Sequence, residues 1–319
     1  MKSKRRNTMM GKKRWRNLRV SLVVLAGAIA LAACGGGGGS DSGEPTYPGN
    51  TKAAVIDGQN AEEIALSAYE GGELQAGMGI DPTEASMGSL ALAQTLSTSL
   101  LAEDLPQAGS VSAAMQGDKM YGDCGGSATQ SISANPNGTF SGSMKYETYC
   151  SAGVTINGGV TFSGYYNEQT DTLNFKMNFS SLTSSMGGES FTSSGSISMD
   201  LNLGDPYSSQ IIEMTMNVTD PATGEVCRLE GYKMTVTPGS AYDLVAIAGR
   251  YYHDVIGYVD ISTNQVIEVS VDGIPHGGMM LFEGADNTWA TLEFTGDGGY
   301  TIIASDTTTV VGTLVEGAL

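Results

Sequence analysis

From about residue 110 onward, apolar and polar side chains alternate with a period of two. Leu173, Phe175, Met177 and Phe179 are interleaved with Asn174, Lys176 and Asn178, and Ile197, Met199, Leu201 and Leu203 repeat the pattern. Val154, Ile156, Val160, Phe162 and Tyr166 alternate with Thr155, Asn157, Thr161 and Ser163, and Ile212, Met214, Met216 and Val218 form a further run. Successive side chains of a strand point to opposite faces, so the pattern predicts an antiparallel sheet with one apolar and one wet face. Turn signals separate the runs: Asn135-Pro136-Asn137-Gly138, Gly187-Gly188, Asp205-Pro206, Asp220-Pro221-Ala222-Thr223-Gly224, Pro238-Gly239, Asp272-Gly273 and Gly296-Asp297-Gly298-Gly299. The expected fold is mainly β, with roughly 11 to 13 strands in meander order over 107–319 forming a large curved sheet, an open barrel or a sandwich. Gly249 marks a candidate sub-boundary.

Residues 53–106 carry helix signals instead. Asn60 stands at an N-cap with Glu63 at the capping-box position, and Gly71-Gly72 reads as the stop. Asp81-Pro82-Thr83-Glu84 is a second start, followed by Leu92, Leu96 and Leu100 on one stripe until Pro106. This helical segment is expected to pack on the apolar face of the sheet.

The first nineteen residues hold nine Lys and Arg and no acid, and a fourteen-residue apolar run follows over 20–33. Such a run is too short to span a bilayer, which needs about 20 residues. A basic start, a short apolar stretch and a small-residue exit describe a secretory signal. The exit, Leu31-Ala32-Ala33-Cys34, resembles the lipobox of bacterial lipoproteins. That resemblance implies removal of residues 1–33 and acylation of Cys34 by palmitate-type chains, which become a membrane anchor. Arg5-Arg6 is not followed by the hydrophobic residues of a twin-arginine signal, so the general export route is expected. Gly35 through Gly39 and Ser40 open a Gly/Ser tether read over 34–52. By analogy with lipoprotein sorting, Gly35 after the lipid-bearing Cys34 implies the outer membrane of a double-membrane bacterium.

Loss of residues 1–33 removes nine bases and no acid, leaving 7 basic and 34 acidic residues and a net charge of −27. That field repels nucleic acid and anionic headgroups, so no nucleic-acid partner is expected. An outer-membrane-spanning barrel would also alternate, but it needs strands of about 9–11 residues and aromatic girdles. The clean stretches read shorter here and the aromatics are scattered.

Three cysteines remain beyond Cys34. Paired residues around the Asn135–Gly138 turn should sum to 273, and Cys124 with Cys150 sums to 274. The two are therefore expected opposite each other within one bulge residue, as a disulfide in an oxidising compartment. Cys227 reads as a buried small apolar residue.

Catalytic signals are sparse. The two histidines, His253 and His276, lie in Gly249-Arg250-Tyr251-Tyr252-His253-Asp254 and Gly273-Ile274-Pro275-His276-Gly277-Gly278. No Gly-x-Ser-x-Gly elbow, phosphate loop or dinucleotide fingerprint occurs. The cysteines and histidines have no zinc spacing, Gly296–Gly299 lacks a calcium ladder, and Met199, Met214 and Met216 fall on apolar strand faces. No metal or cofactor is therefore expected. Residues 249–263 and 277–284 are similar to segments of uncharacterised β-rich envelope lipoproteins, which implies architecture and location and no activity. The leading expectation is a lipid-anchored envelope protein with a non-enzymatic binding or structural role, its partner an envelope component or an apolar ligand. The rivals are a carrier holding an apolar ligand in an open barrel, and a secreted hydrolase using His253 or His276.

Overall fold

The computed structural model describes residues 46–74 and 113–314, apart from 152–153, 187–188, 206, 271–272 and 297. Cys34, the signal segment and the helix expected over 81–106 lie outside the described residues.

Among these residues one helix, α1 (Ala61–Leu74), precedes fourteen strands. The first seven are β1 (Ala113–Tyr121), β2 (Gly125–Ala134), β3 (Thr139–Ser151), β4 (Val154–Asn167), β5 (Thr172–Met186), β6 (Glu189–Asn202) and β7 (Gln210–Thr219). The other seven are β8 (Val226–Thr237), β9 (Asp243–His253), β10 (Gly257–Val269), β11 (Pro275–Glu283), β12 (Trp289–Gly296), β13 (Gly299–Ala304) and β14 (Thr309–Thr313). All pair antiparallel in chain order within one unclosed sheet, with β1 and β14 at its edges. Gly249 lies inside β9, so the sheet runs without a break across the expected sub-boundary.

Alternation puts Leu173, Phe175, Met177, Ile197, Met199, Ile212 and Met214 on the buried face, as read from the sequence. Individual strands reach 13 to 15 residues in β3 to β6, longer than the clean stretches suggested. Bulges account for the difference. The register slips between Phe179 and Leu182, so the periodicity breaks while pairing continues and Leu182 and Ser184 turn inward.

Helix α1 buries Ala61, Ile64, Ala65, Ala68 and Tyr69, the stripe of a 3.6-residue period, with small alanines allowing close approach. It starts where expected but makes no capping box. Asn60 instead accepts from the Asp57 N–H (3.0 Å) and donates to the Val55 carbonyl (2.9 Å), while Glu63 reaches His253. Nor does Gly71-Gly72 end it: the helix continues to Leu74, since glycine is tolerated in a helix at about 1 kcal/mol each. Adjacent Glu62 and Glu63 contact Tyr300 of β13 (2.9 Å) and His253 of β9 (3.2 Å). Four strand spacings of a flat sheet cover about 19 Å. The sheet therefore curls around α1, which fills the trough between β8–β9 and β12–β13.

A strap, residues 46–58, leads into the helix along one rim of the sheet. Thr46 accepts from Asn217 at the end of β7, and the Tyr47 hydroxyl donates to the Val226 carbonyl at the start of β8. The Tyr47 ring sits 5.3 Å from that of Tyr252 on the outward face. The strap then passes between β10 and the β11–β12 turn. Tyr258 N–H donates to Lys52, Ala54 N–H donates to Tyr258, and Ala285 N–H donates to Ala54, at 2.9, 2.8 and 2.6 Å. Beyond this passage Ile56 is fully buried in the core. Residues 46–52 are thus laced onto the sheet, where the sequence suggested the end of a flexible tether. Without a hydrophobic period of its own, this stretch gave no sign of its distant partners. The strap rim also carries the β1–β2 turn and the disulfide; the opposite rim carries the turns at 135–138, 168–171, 203–209 and 238–242.

Candidate functional site

The outward face of β3 to β7 is a ladder of small polar groups set by the register. One cross-strand row runs Thr139, Tyr165, Asn174, Asp200, Ile211. The next runs Ser141, Ser163, Lys176, Ser198, Glu213, and a third runs Ser143, Thr161, Asn178, Ser196, Thr215. The first two rows line an open groove of about 560 Å³. A smaller concavity of about 280 Å³ adjoins it around the β2–β3 turn, where Asn135, Asn137, Asn167 and Gln169 present carboxamides. Tyr165 belongs to both and is 40% exposed, whereas its neighbour Tyr166 turns away and donates to Asp171 (2.7 Å). Burial, reinforced by that carboxylate, pushes the Tyr166 hydroxyl up to about 12.

Within the groove Asn174 donates through Nδ2 to Asp200 Oδ1. Glu213 is paired 3.5 Å from Lys233 on β8. Lys176 is flanked by Ser163 and Ser198. The chemistry on offer is hydroxyl and carboxamide hydrogen bonding, one ammonium, carboxylates and an exposed ring face.

Farther along the outward face lies a charged cluster that covers β8 to β10. Arg228 pairs with Glu230 (2.9 Å), Tyr252 donates to Glu230 (2.7 Å), and Arg250 makes two bonds to Asp260. These groups largely pair with one another, and the cluster meets the strap through the Tyr252 ring against Tyr47.

The residues singled out in the sequence are dispersed. Cys124 and Cys150 form a disulfide with Cα atoms 5.1 Å apart. Cys227 is a free thiol, pushed up to about 12 chiefly by burial. His253 caps the β9–β10 turn: its Nδ1 accepts from the Val255 N–H (3.3 Å) and its Nε2 faces Glu63 (3.2 Å), so it ties the helix to the sheet. His276, on the opposite rim, lies against Tyr242 with ring centres 5.1 Å apart. Met199, Met214 and Met216 are core residues. Residues 249–263 are the β9–β10 hairpin, and 277–284 are β11 with its following turn. Among the described residues no three His, Cys, Asp or Glu side chains converge as a metal site, and no helix is long and apolar enough to cross a membrane.

Sequence reasoning passed over the groove. Alternation put Tyr166 on the apolar face and Asn174 and Lys176 on the wet one, but only the register brings Tyr165 into one groove with them. Comparison of the chain with protein-family models, with curated proteins and with solved structures finds no match.

Proposed function

We propose that the protein is a lipid-anchored module of the bacterial cell envelope, held at the outer membrane through Cys34, and that it acts by binding rather than by catalysis. The observation that carries the binding role is the outward groove, a concave polar surface on strands whose other face is committed to the core. The anchor is supported by the basic start, the short apolar run and Leu31-Ala32-Ala33-Cys34. Thr46 lies twelve residue steps beyond Cys34. Fully extended they reach about 40 Å, so an anchored domain would stay close to the membrane by its strap rim.

Two measurements test this. Intact mass of the detergent-extracted protein should match residues 34–319 plus acyl chains and minus two hydrogens for one disulfide. A retained signal or an unmodified Cys34 overturns the anchor. A lipid-free mature chain should still sediment saturably with isolated envelopes, and a chain left wholly in the supernatant overturns the binding role.

A further inference from the structure

The two adjoining concavities share Tyr165 and open at the rim opposite the strap, so their chemistry can be read as one surface. Carboxamides dominate one end, with hydroxyls and the Asn174–Asp200 pair at the other. Asn135 Nδ2 donates to Thr139 and the Oδ1 atoms of Asn137 and Asn167 accept within their own turns, and the N–H groups and lone pairs that remain suit neighbouring hydroxyl groups on a ligand. Tyr165 presents a ring face, and the C–H face of a pyranose is weakly positive and apolar, which suits the negative face of an aromatic ring. The same rim exposes two more tyrosines, Tyr207 in the β6–β7 connection (69%) and Tyr242 in the β8–β9 connection (38%). Successive rings are therefore roughly two to two and a half strands apart, or about 10–12 Å at ordinary strand spacing. That interval is comparable to the disaccharide repeat of an extended glycan.

We propose that this groove and rim bind an extended, neutral oligosaccharide lying across the strands, with Tyr165 as the platform shared by the two concavities. Charge selects the neutral class. Lys176 is the one cation lining the groove, beside Asp200 and a Glu213 already paired with Lys233, so the groove is near neutral while the mature chain carries a net charge of −27. An anionic glycan would meet the repulsion of the chain as a whole and find no excess cation in the groove to offset it. An apolar ligand would leave the carboxamides and hydroxyls desolvated and unpaired. The inference rests on the binding role proposed above and is independent of the lipid.

The test uses the lipid-free mature chain with ¹⁵N-labelled amides, titrated with cellohexaose, chitohexaose and maltohexaose, and with hexagalacturonate as the anionic counterpart. At least one neutral hexasaccharide should give saturable shifts confined to β3–β7 and the rim turns. Tyr165→Ala should weaken that binding about tenfold and Tyr165→Phe should preserve it. An unchanged spectrum of Tyr165→Ala away from the groove would exclude misfolding as the cause. Shifts on another face, indifference to Tyr165→Ala, or equal binding of hexagalacturonate would each overturn the proposal. Silence with all three neutral sugars overturns it as well. If the chain nevertheless sediments with envelopes, the ligand class fails and the binding role stands; if it does not, both fail.

Discussion

Arg250 donates to Asp260 through two bonds, Nε to Oδ1 at 2.7 Å and Nη2 to Oδ2 at 3.1 Å, while its guanidinium carbon lies 4.1 Å from the centre of the Tyr258 ring. Bonding to Asp260 holds the guanidinium even more firmly protonated than usual. Lysine offers one point charge and cannot make the fork and the stack together. Both partners are a third to a half exposed, so water screens the pair. Arg250→Lys is expected to cost about 1 kcal/mol in urea unfolding, and the difference should narrow in high salt. Equal midpoints for the two proteins would show that the fork contributes nothing.

The disulfide closes a 26-residue separation across β2 and β3 at the strap rim. Replacing both cysteines, as Cys124→Ser with Cys150→Ser, should lower stability by about 3 kcal/mol through the wider unfolded ensemble. Amide exchange should quicken first in β1 to β3. Reductant should lower the melting temperature of the native protein and leave the double variant unaffected.

High pH should unfold the protein. Burial raises the Cys227 thiol to about 12, and it also raises Tyr47, Tyr146 and Tyr251 well above 10.0, their ordinary value. In the unfolded chain these groups lose their protons from about pH 9 to 10, whereas the folded chain keeps them. The unfolded state then binds fewer protons, so stability falls as pH rises through that range and toward the folded values. Urea midpoints should drop steadily from about pH 8.5 to about pH 11, and a flat profile would contradict the burial. Cys227 should resist thiol reagents at pH 7 until the protein unfolds.

Gly257 has φ +113°, and a Cβ there would stand 2.2 Å from the Lys52 carbonyl oxygen. Gly257→Ala therefore strains the backbone and pushes the strap away from Tyr258. The expected loss is about 2 kcal/mol or more. Exchange of the Ala54 amide should rise more than that of amides in β3 to β6, and uniform exchange would refute a local effect.

Ser184 is fully buried on the inward face of β5, and its hydroxyl finds no hydrogen-bond partner among the described residues. A buried hydroxyl left unpaired costs about 1–3 kcal/mol relative to an apolar group of similar size. Ser184→Ala should be neutral or stabilising by up to about 1 kcal/mol, because the small void partly offsets the gain. Clear destabilisation would mean that the hydroxyl is satisfied in solution.

Much of the sheet was legible because one face is buried and alternation reports it directly, as from Leu173 to Phe179. Register was legible to within one residue. The Asn135 N–H bonds the Thr139 carbonyl, which closes a three-residue loop and makes paired numbers sum to 274, not 273. A bulge between Gly125 and Ser127 then brings Cys150 opposite Gly125, beside Cys124. Bulges themselves leave little trace, since one extra residue inverts every later side chain without changing composition. The groove was hidden because alternation assigns faces, with Tyr166 on the apolar one, but does not show which wet positions of other strands lie beside Tyr165. Strap contacts span separations such as 179 residues for Tyr47 with Val226, which no local pattern encodes.

A chain exported unfolded can zip each hairpin of the meander as it emerges across the membrane, but α1 cannot be covered that way. Tyr300 follows Glu62 by 238 residues, so the helix emerges well before the last strands that cover it. Throughout that interval the stripe containing Ile64 and Tyr69 lacks the strands that bury it. The first described helix to be made is thus among the last pieces to be enclosed. Loss of β13 and β14 at the far end of the gene product would unroof the helix near its beginning.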